Sequence, residues 1–204
     1  MRFVSTVAFF AVLSVTCALA QDATAPKLAA TCQSCHGPRG DSPTPTTPRL
    51  NGQSAAYIAQ RLRDFRDPTR QDPHAVESMW SVMTQVDDAS IPVLAAYFAS
   101  QTPTLPQNHG ALAAKGGKLF AEGALPQKVP ACQACHGAHG EGNGTTPRLA
   151  GQRAAYLTHQ LEVLRLSLRE SDVMHPKTNE MTDEHVKSLP TATPFSRPIT
   201  TPFR

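Results

Sequence analysis

The chain is 204 residues long, with 19 Lys and Arg against 16 Asp and Glu, a formal net charge of +3. Bases and acids are interleaved, as in "RLRDFRDPTR" (61–70), which excludes the basic face that nucleic-acid binding demands. Length admits one or two domains, yet only 6% of residues are aromatic, a thin stock for two apolar cores.

The opening segment, "MRFVSTVAFFAVLSVTCALA" (1–20), has one early base (Arg2), an apolar run and a small-residue pattern at Ala18-Leu19-Ala20. This is the layout of a secretory signal cleaved near Ala20. The run is shorter than the roughly 20 residues a membrane span needs. Thr16, before Cys17, is bulkier than lipid-modified cysteine sites tolerate. The product is expected to be exported.

Removal of Cys17 leaves four cysteines: Cys32, Cys35, Cys132 and Cys135. They lie in "TCQSCHGPRGD" (31–41) and "ACQACHGAHGE" (131–141), two versions of one sentence. "TTPRLNGQSAAY" (46–57) recurs as "TTPRLAGQRAAY" (145–156). A helix follows each block, with Ile58, Leu62 and Phe65 on one face of the first and Leu157, Leu161 and Leu164 on the same face of the second. Asp87 or Ser90 starts a further helix in which Ile91, Leu94 and Phe98 face inward; Pro92 should weaken its first turn. The prolines of "QTPTLPQN" (101–108) mark an extended connection. The second half repeats the plan up to "MTDEHVKSL" (181–189), where Thr182 is an N-cap, and then meets Pro190. Phe120 should lose there the cover that Tyr97 and Phe98 exemplify in the first half. The expected division is a signal at 1–20, a first domain at 21–101, a linker at 102–108, a second domain at 109–189 and a disordered tail at 190–204. No strand signal stands out.

Cys-x-x-Cys-His is the attachment sequence of c-type haem. Two thiols add across the porphyrin vinyl groups, and the adjacent histidine supplies the proximal iron ligand. Two such sites predict two covalent haem c groups, with His36 and His136 on iron. The porphyrin is then the apolar body that the thin core requires. A four-thiolate zinc site or a redox dithiol is the rival reading. It leaves the histidine after each pair unexplained.

The sixth ligand decides what a haem does, and methionine closes the iron. Met79 and Met83 compete in the first half, Met174 and Met181 in the second. Met79 precedes Val86 by seven residues, and Met174 precedes Met181 by seven. Met79 and Met174 are therefore the equivalent pair, and Met181 takes the packing place of Val86. His175, beside Met174, is an alternative ligand. His74, His109, His139, His159 and His185 read as exposed or loop residues.

Paired CxxCHG motifs, PxLxGQxxxY after each (48–57 and 147–156), a late methionine and "LAAYFASQ" (94–101) together resemble the soluble dihaem cytochrome c4 family. The resemblance covers most of residues 30–189. It implies an all-α fold of two tandem class I cytochrome c domains, short helices wrapped around covalently bound haems that face each other across the domain interface. It further implies periplasmic electron transfer to a terminal oxidase or another respiratory component. In this family pattern the carbonyls of Pro48 and Pro147 accept a hydrogen bond from His36 and His136, fixing the rings.

No acid–base pair or substrate pocket is legible, so an electron carrier rather than an enzyme is expected. Asp41 and Glu141, at matching places beside the haem motifs, read as solvated loop acids. Two alternatives are a cytochrome subunit of a catalytic complex, such as a flavocytochrome sulfide dehydrogenase, and a dihaem peroxidase with one open iron. Redox proteins are the expected partners, with membrane association only through such a partner.

Overall fold

The computed structural model describes residues 25–67, 69–105 and 112–191. The expected signal, the end of the linker and the tail from residue 192 lie outside them. The described residues form helices, turns and loops without a strand; two isolated bridges pair Ala124 with Val129 and Asn143 with Thr146.

In the first half, α1 (25–36) carries the first cysteine pair, and α2 (Ala55–Arg66) follows the Pro-Arg-Leu block. A π-turn at Ala75–Met79 runs into α3 (Trp80–Met83), and α4 (Ser90–Ala99) closes the half. The second half has α5 (Ala113–Glu122), α6 (Gln133–His136), α7 (Ala154–Arg165), α8 (His175–Thr178) and α9 (Asp183–Ser188).

Local chemistry sets the helix starts. The Ser54 hydroxyl accepts the Tyr57 N–H at the head of α2, and the Asp87 carboxylate accepts the Ser90 N–H at 2.7 Å before α4. Because α4 begins at Ser90, Pro92 falls in its first turn. Its missing N–H is among those a helix start leaves unpaired, so the expected weakening does not arise. Thr182 and His185 form a reciprocal capping box on α9.

Each half has its own core. In the first, Ile58 on α2 packs with Ala29 on α1 and with Leu94, Ala95 and Phe98 on α4, with Val86 at the edge. In the second, Leu157 and Leu161 on α7 pack with Leu119, Phe120, Val129, Met181, Val186 and Leu189. Met181 thus sits among apolar side chains, as Val86 does.

The C-terminal end differs from expectation. Leu189–Thr191 continue α9 as a 3₁₀ turn, with Leu189 and Pro190 buried. Phe120 is fully buried, in one cluster with Val186 and Leu189. Apolar residues of a two-turn helix and its 3₁₀ extension replace the aromatic cover, so the packed structure runs past residue 189 to Thr191.

Candidate haem sites and the face between them

The Cys-x-x-Cys-His segments end their helices. Residues three and four apart share a helix face, so Cys32, Cys35 and His36 project to one side of α1. Gly37, at φ 76°, then turns the chain sharply, and a Cβ there would lie 2.4 Å from the Asp41 carbonyl oxygen. Cys132, Cys135 and His136 repeat this arrangement around α6.

None of the four cysteines is paired in a disulfide; Cys32 and Cys132 are half-buried, Cys35 and Cys135 exposed. Burial raises the Cys32 thiol and pushes Cys132 up to about 11. A raised thiol is a poor nucleophile for dithiol exchange. Nor do the two pairs converge: among the described residues no cluster of three or more His, Cys, Asp or Glu is placed to hold a metal ion. A four-thiolate zinc centre does not fit.

The histidines are oriented for a ligand. His36 Nδ1 lies 2.8 Å from the Pro48 carbonyl oxygen, and His136 Nδ1 lies 2.9 Å from that of Pro147. A carbonyl can only accept, so Nδ1 carries the proton and Nε2 keeps a free lone pair. Both rings are buried, and burial lowers their pKa against the opposing pull of the carbonyl. A neutral imidazole with Nε2 free is the form that binds iron.

The methionines divide into two kinds. Met83 is 1% exposed and Met181 5%, both packed inside. Met79 and Met174 remain half-buried, on segments separate from the cysteine helices. The residue after each anchors it. The Trp80 indole donates to the Arg70 carbonyl at 3.0 Å, and His175 Nδ1 donates to the Leu164 carbonyl at 2.9 Å. The Ser167 hydroxyl lies 3.1 Å from His175 Nε2. His175, at the start of α8, is thus held by Leu164 and Ser167.

The face between the halves was not legible in the sequence. Gln53 and Gln152, equivalent in the repeat, each reach the other half's main chain. Gln53 accepts the Arg148 N–H at 2.7 Å and donates to the Arg148 carbonyl at 2.9 Å. Gln152 accepts the Arg49 N–H at 2.8 Å and donates to the Arg49 carbonyl at 3.0 Å. Ser54 donates to the Gly144 carbonyl, and Arg153 to that of Ser42. The linker seals one edge. Asn51 donates to the Thr102 carbonyl at 2.8 Å, and a Cβ on Gly151 would lie 2.0 Å from the Thr104 carbonyl oxygen. Asp41 is no free loop acid: its carboxylate takes bonds from Arg49 and Thr104.

A buried polar cluster lies on the same face. Arg70 donates to Asp72 at 2.6 Å, and Arg70 and Arg169 both donate to the Gln160 side-chain oxygen. Arg169 also reaches the Tyr57 hydroxyl at 3.3 Å. Burial alone would raise the Tyr57 phenol, but Arg169, Arg70 and Arg61 outweigh it and bring it below its ordinary value. Nε atoms of Arg61, Arg148 and Arg169 are buried without a hydrogen-bond partner among the described residues. Buried cations with open donors call for anions. Haem, with two carboxylates, fits that donor set. The repeat held a signal for it: Arg70 follows Tyr57, and Arg169 follows Tyr156, by thirteen residues.

The Cytochrome c family model matches this chain twice, at residues 23–102 and 113–189. Cytochrome c4 of Pseudomonas aeruginosa is 37% identical over 146 residues, 71% of each chain. A thiosulfate dehydrogenase electron acceptor from Thiomonas intermedia is 35% identical over 175 residues, covering 82% of this chain and 79% of that one. The solved cytochrome c4 of Acidithiobacillus ferrooxidans superposes with a TM-score of 0.75 at 35% identity, covering 78% of this chain and 95% of that one. Each match to the family model holds one Cys-x-x-Cys-His turn, so haem c is attached at Cys32 and Cys35 and again at Cys132 and Cys135. Two class I cytochrome c domains in one chain, alike in sequence and fold to cytochrome c4 along most of their length, make this protein a member of the dihaem cytochrome c4 family.

Proposed function

We propose that the protein is a periplasmic electron carrier, not an enzyme, that takes electrons from a respiratory donor and passes them to a terminal oxidase. His36 and Met79 hold the first iron, His136 and Met174 the second. The observation that carries this reading is the division of the methionines. In each half one methionine, Met83 or Met181, is consumed by packing, and the other, Met79 or Met174, is left half-buried beside an anchored Trp80 or His175. Two closed irons suit electron exchange and leave no open position for peroxide.

Bound haem c supplies a reversible one-electron iron couple. The chain's own residues do the rest. Thioether bonds from two cysteines would fix each ring, and the carbonyls of Pro48 and Pro147 orient the imidazoles and increase their basicity. Arg61, Arg148 and Arg169 would supply donors to the haem carboxylates. The export expected from residues 1–20 gives the periplasmic location. No helix among the described residues is long and apolar enough to cross a membrane.

A second reading is service as the electron-accepting partner of a dehydrogenase. It is supported by the likeness to the Thiomonas electron acceptor. Both readings are tested with the native holoprotein. Rapid oxidation of the reduced protein by oxidase-containing membranes, with negligible peroxide turnover, is expected. Saturable peroxide turnover with both methionines still bound would overturn the carrier assignment. Retention of a dehydrogenase, rather than an oxidase, on the immobilised protein would favour the second reading.

A further inference from the structure

One peptide group serves two partners in each half. The carbonyl of the Pro48–Arg49 peptide accepts from His36 at 2.8 Å, while its N–H donates to Gln152 of the other half at 2.8 Å. The Pro147–Arg148 peptide repeats this: its carbonyl accepts from His136 at 2.9 Å, and its N–H donates to Gln53 at 2.7 Å. Each glutamine oxygen is also held by the N–H of the next residue, Ser54 at 3.0 Å and Arg153 at 2.9 Å. The glutamine NH₂ bonds the arginine carbonyl, which fixes the amide orientation.

We propose that Gln53 and Gln152 are crossed positioning residues, each orienting and tuning the proximal histidine of the opposite half through a single shared peptide group.

The physical route is polarisation. Donating the N–H to a glutamine oxygen draws charge onto the carbonyl of the same peptide, and hydrogen bonds in series strengthen one another in a low-dielectric setting. Gln53 and Arg148 are 7% and 6% exposed, so water screens this little. A stronger acceptor at Nδ1–H gives the imidazole more imidazolate character. Nε2 becomes a better donor, and the oxidised iron is favoured. The effect exists only while the halves are docked, so docking and the reduction equilibrium of both haems are linked. The proposal rests on His36 and His136 being the iron ligands.

The test uses the full-length holoprotein with labelled histidine, and proton NMR to follow each haem and each proximal ring separately. In the unaltered protein, His36 and His136 ring protons are expected at strongly paramagnetic positions. Their absence would overturn the ligand assignment and the proposal together, before any variant is made. Gln152→Ala is expected to shift the first haem severalfold toward the reduced form, move the His36 resonances and speed exchange of the Arg49 amide. The second haem should change much less. Gln53→Ala is expected to do the reverse. Gln152→Glu keeps an acceptor for the Arg49 N–H, so the first haem should not shift toward the reduced form. Equal shifts at both haems, a shift confined to the haem of the mutated half, no shift, or Gln152→Glu behaving as Gln152→Ala would each overturn the crossed assignment.

Discussion

The imidazole rings of His74 and His159 stack across the two halves, with 4.3 Å between centroids and 33° between planes. His74, exposed as its sequence position suggests, precedes the Met79 turn, and His159 lies half-buried on α7 rather than in a loop. Burial lowers the His159 pKa, and the His74 ring and Arg70 lower it further, against Asp72 and Glu162. A histidine whose folded pKa is depressed costs nothing while both states are neutral. As pH falls through the ordinary imidazole value of about 6.5, the open form takes up protons first and the closed form loses ground. Thermal stability should therefore decline between about pH 7 and 5, and His159→Gln should flatten that decline. An unchanged slope in the variant, measured by scanning calorimetry, would remove His159 from the account.

The Arg70–Asp72 pair sets a second expectation. Asp72 is fully buried and Arg70 nearly so. Removing one partner strands the other: Arg70→Met should cost about 3–5 kcal/mol in urea unfolding. Arg70→Met with Asp72→Leu together should cost less than Arg70→Met alone.

Ligand choice gives a third. Met79→Leu should abolish the far-red absorption of the methionine–ferric bond at the first haem and open it to added cyanide or imidazole. Met83→Leu, a near-isosteric change in a packed site, should cost less than about 1.5 kcal/mol and leave that band intact. The reverse pattern would assign the ligand to Met83.

Cofactor content gives a fourth. The denatured chain should keep two haems by mass spectrometry, and a Cys32→Ala/Cys35→Ala variant should keep one. Haem that extracts into acid acetone from the unaltered chain would contradict thioether attachment.

The closing turn gives a fifth. Leu189→Ala should uncover Phe120 and destabilise the second half by about 2–5 kcal/mol. Because α9 has six residues and α4 has ten, hydrogen exchange in the unaltered protein should be faster in α9 than in α4.

The helical class, the tandem plan and the two haem attachment turns were legible because each rests on local spacing. So was the equivalence of Val86 with Met181, since a repeat transfers one half's packing to the other. The face between the halves was hidden. "RLRDFRDPTR" looks like solvated charge, yet Arg70 is buried because Gln160, from the other half, lies over it. The repeated Gln53 and Gln152 were visible as letters. Their reach to Arg148 and Arg49 was not, because no window of sequence contains both ends. The cover over Phe120 is not legible from aromatic spacing, because Val186 and Leu189 suffice for it.

The reciprocal bonds of Gln53 with Arg148 and Gln152 with Arg49 have the form of an isologous contact, in which one patch meets its own copy about a two-fold axis. A single ancestral domain bearing Arg and Gln at these places would already have been self-complementary. In one chain the same contact is intramolecular, and the two copies of a position need not be alike. Ser54 and Arg153 show the difference: both reach a main-chain carbonyl of the other half, Gly144 and Ser42, but only Ser54 also caps its own helix.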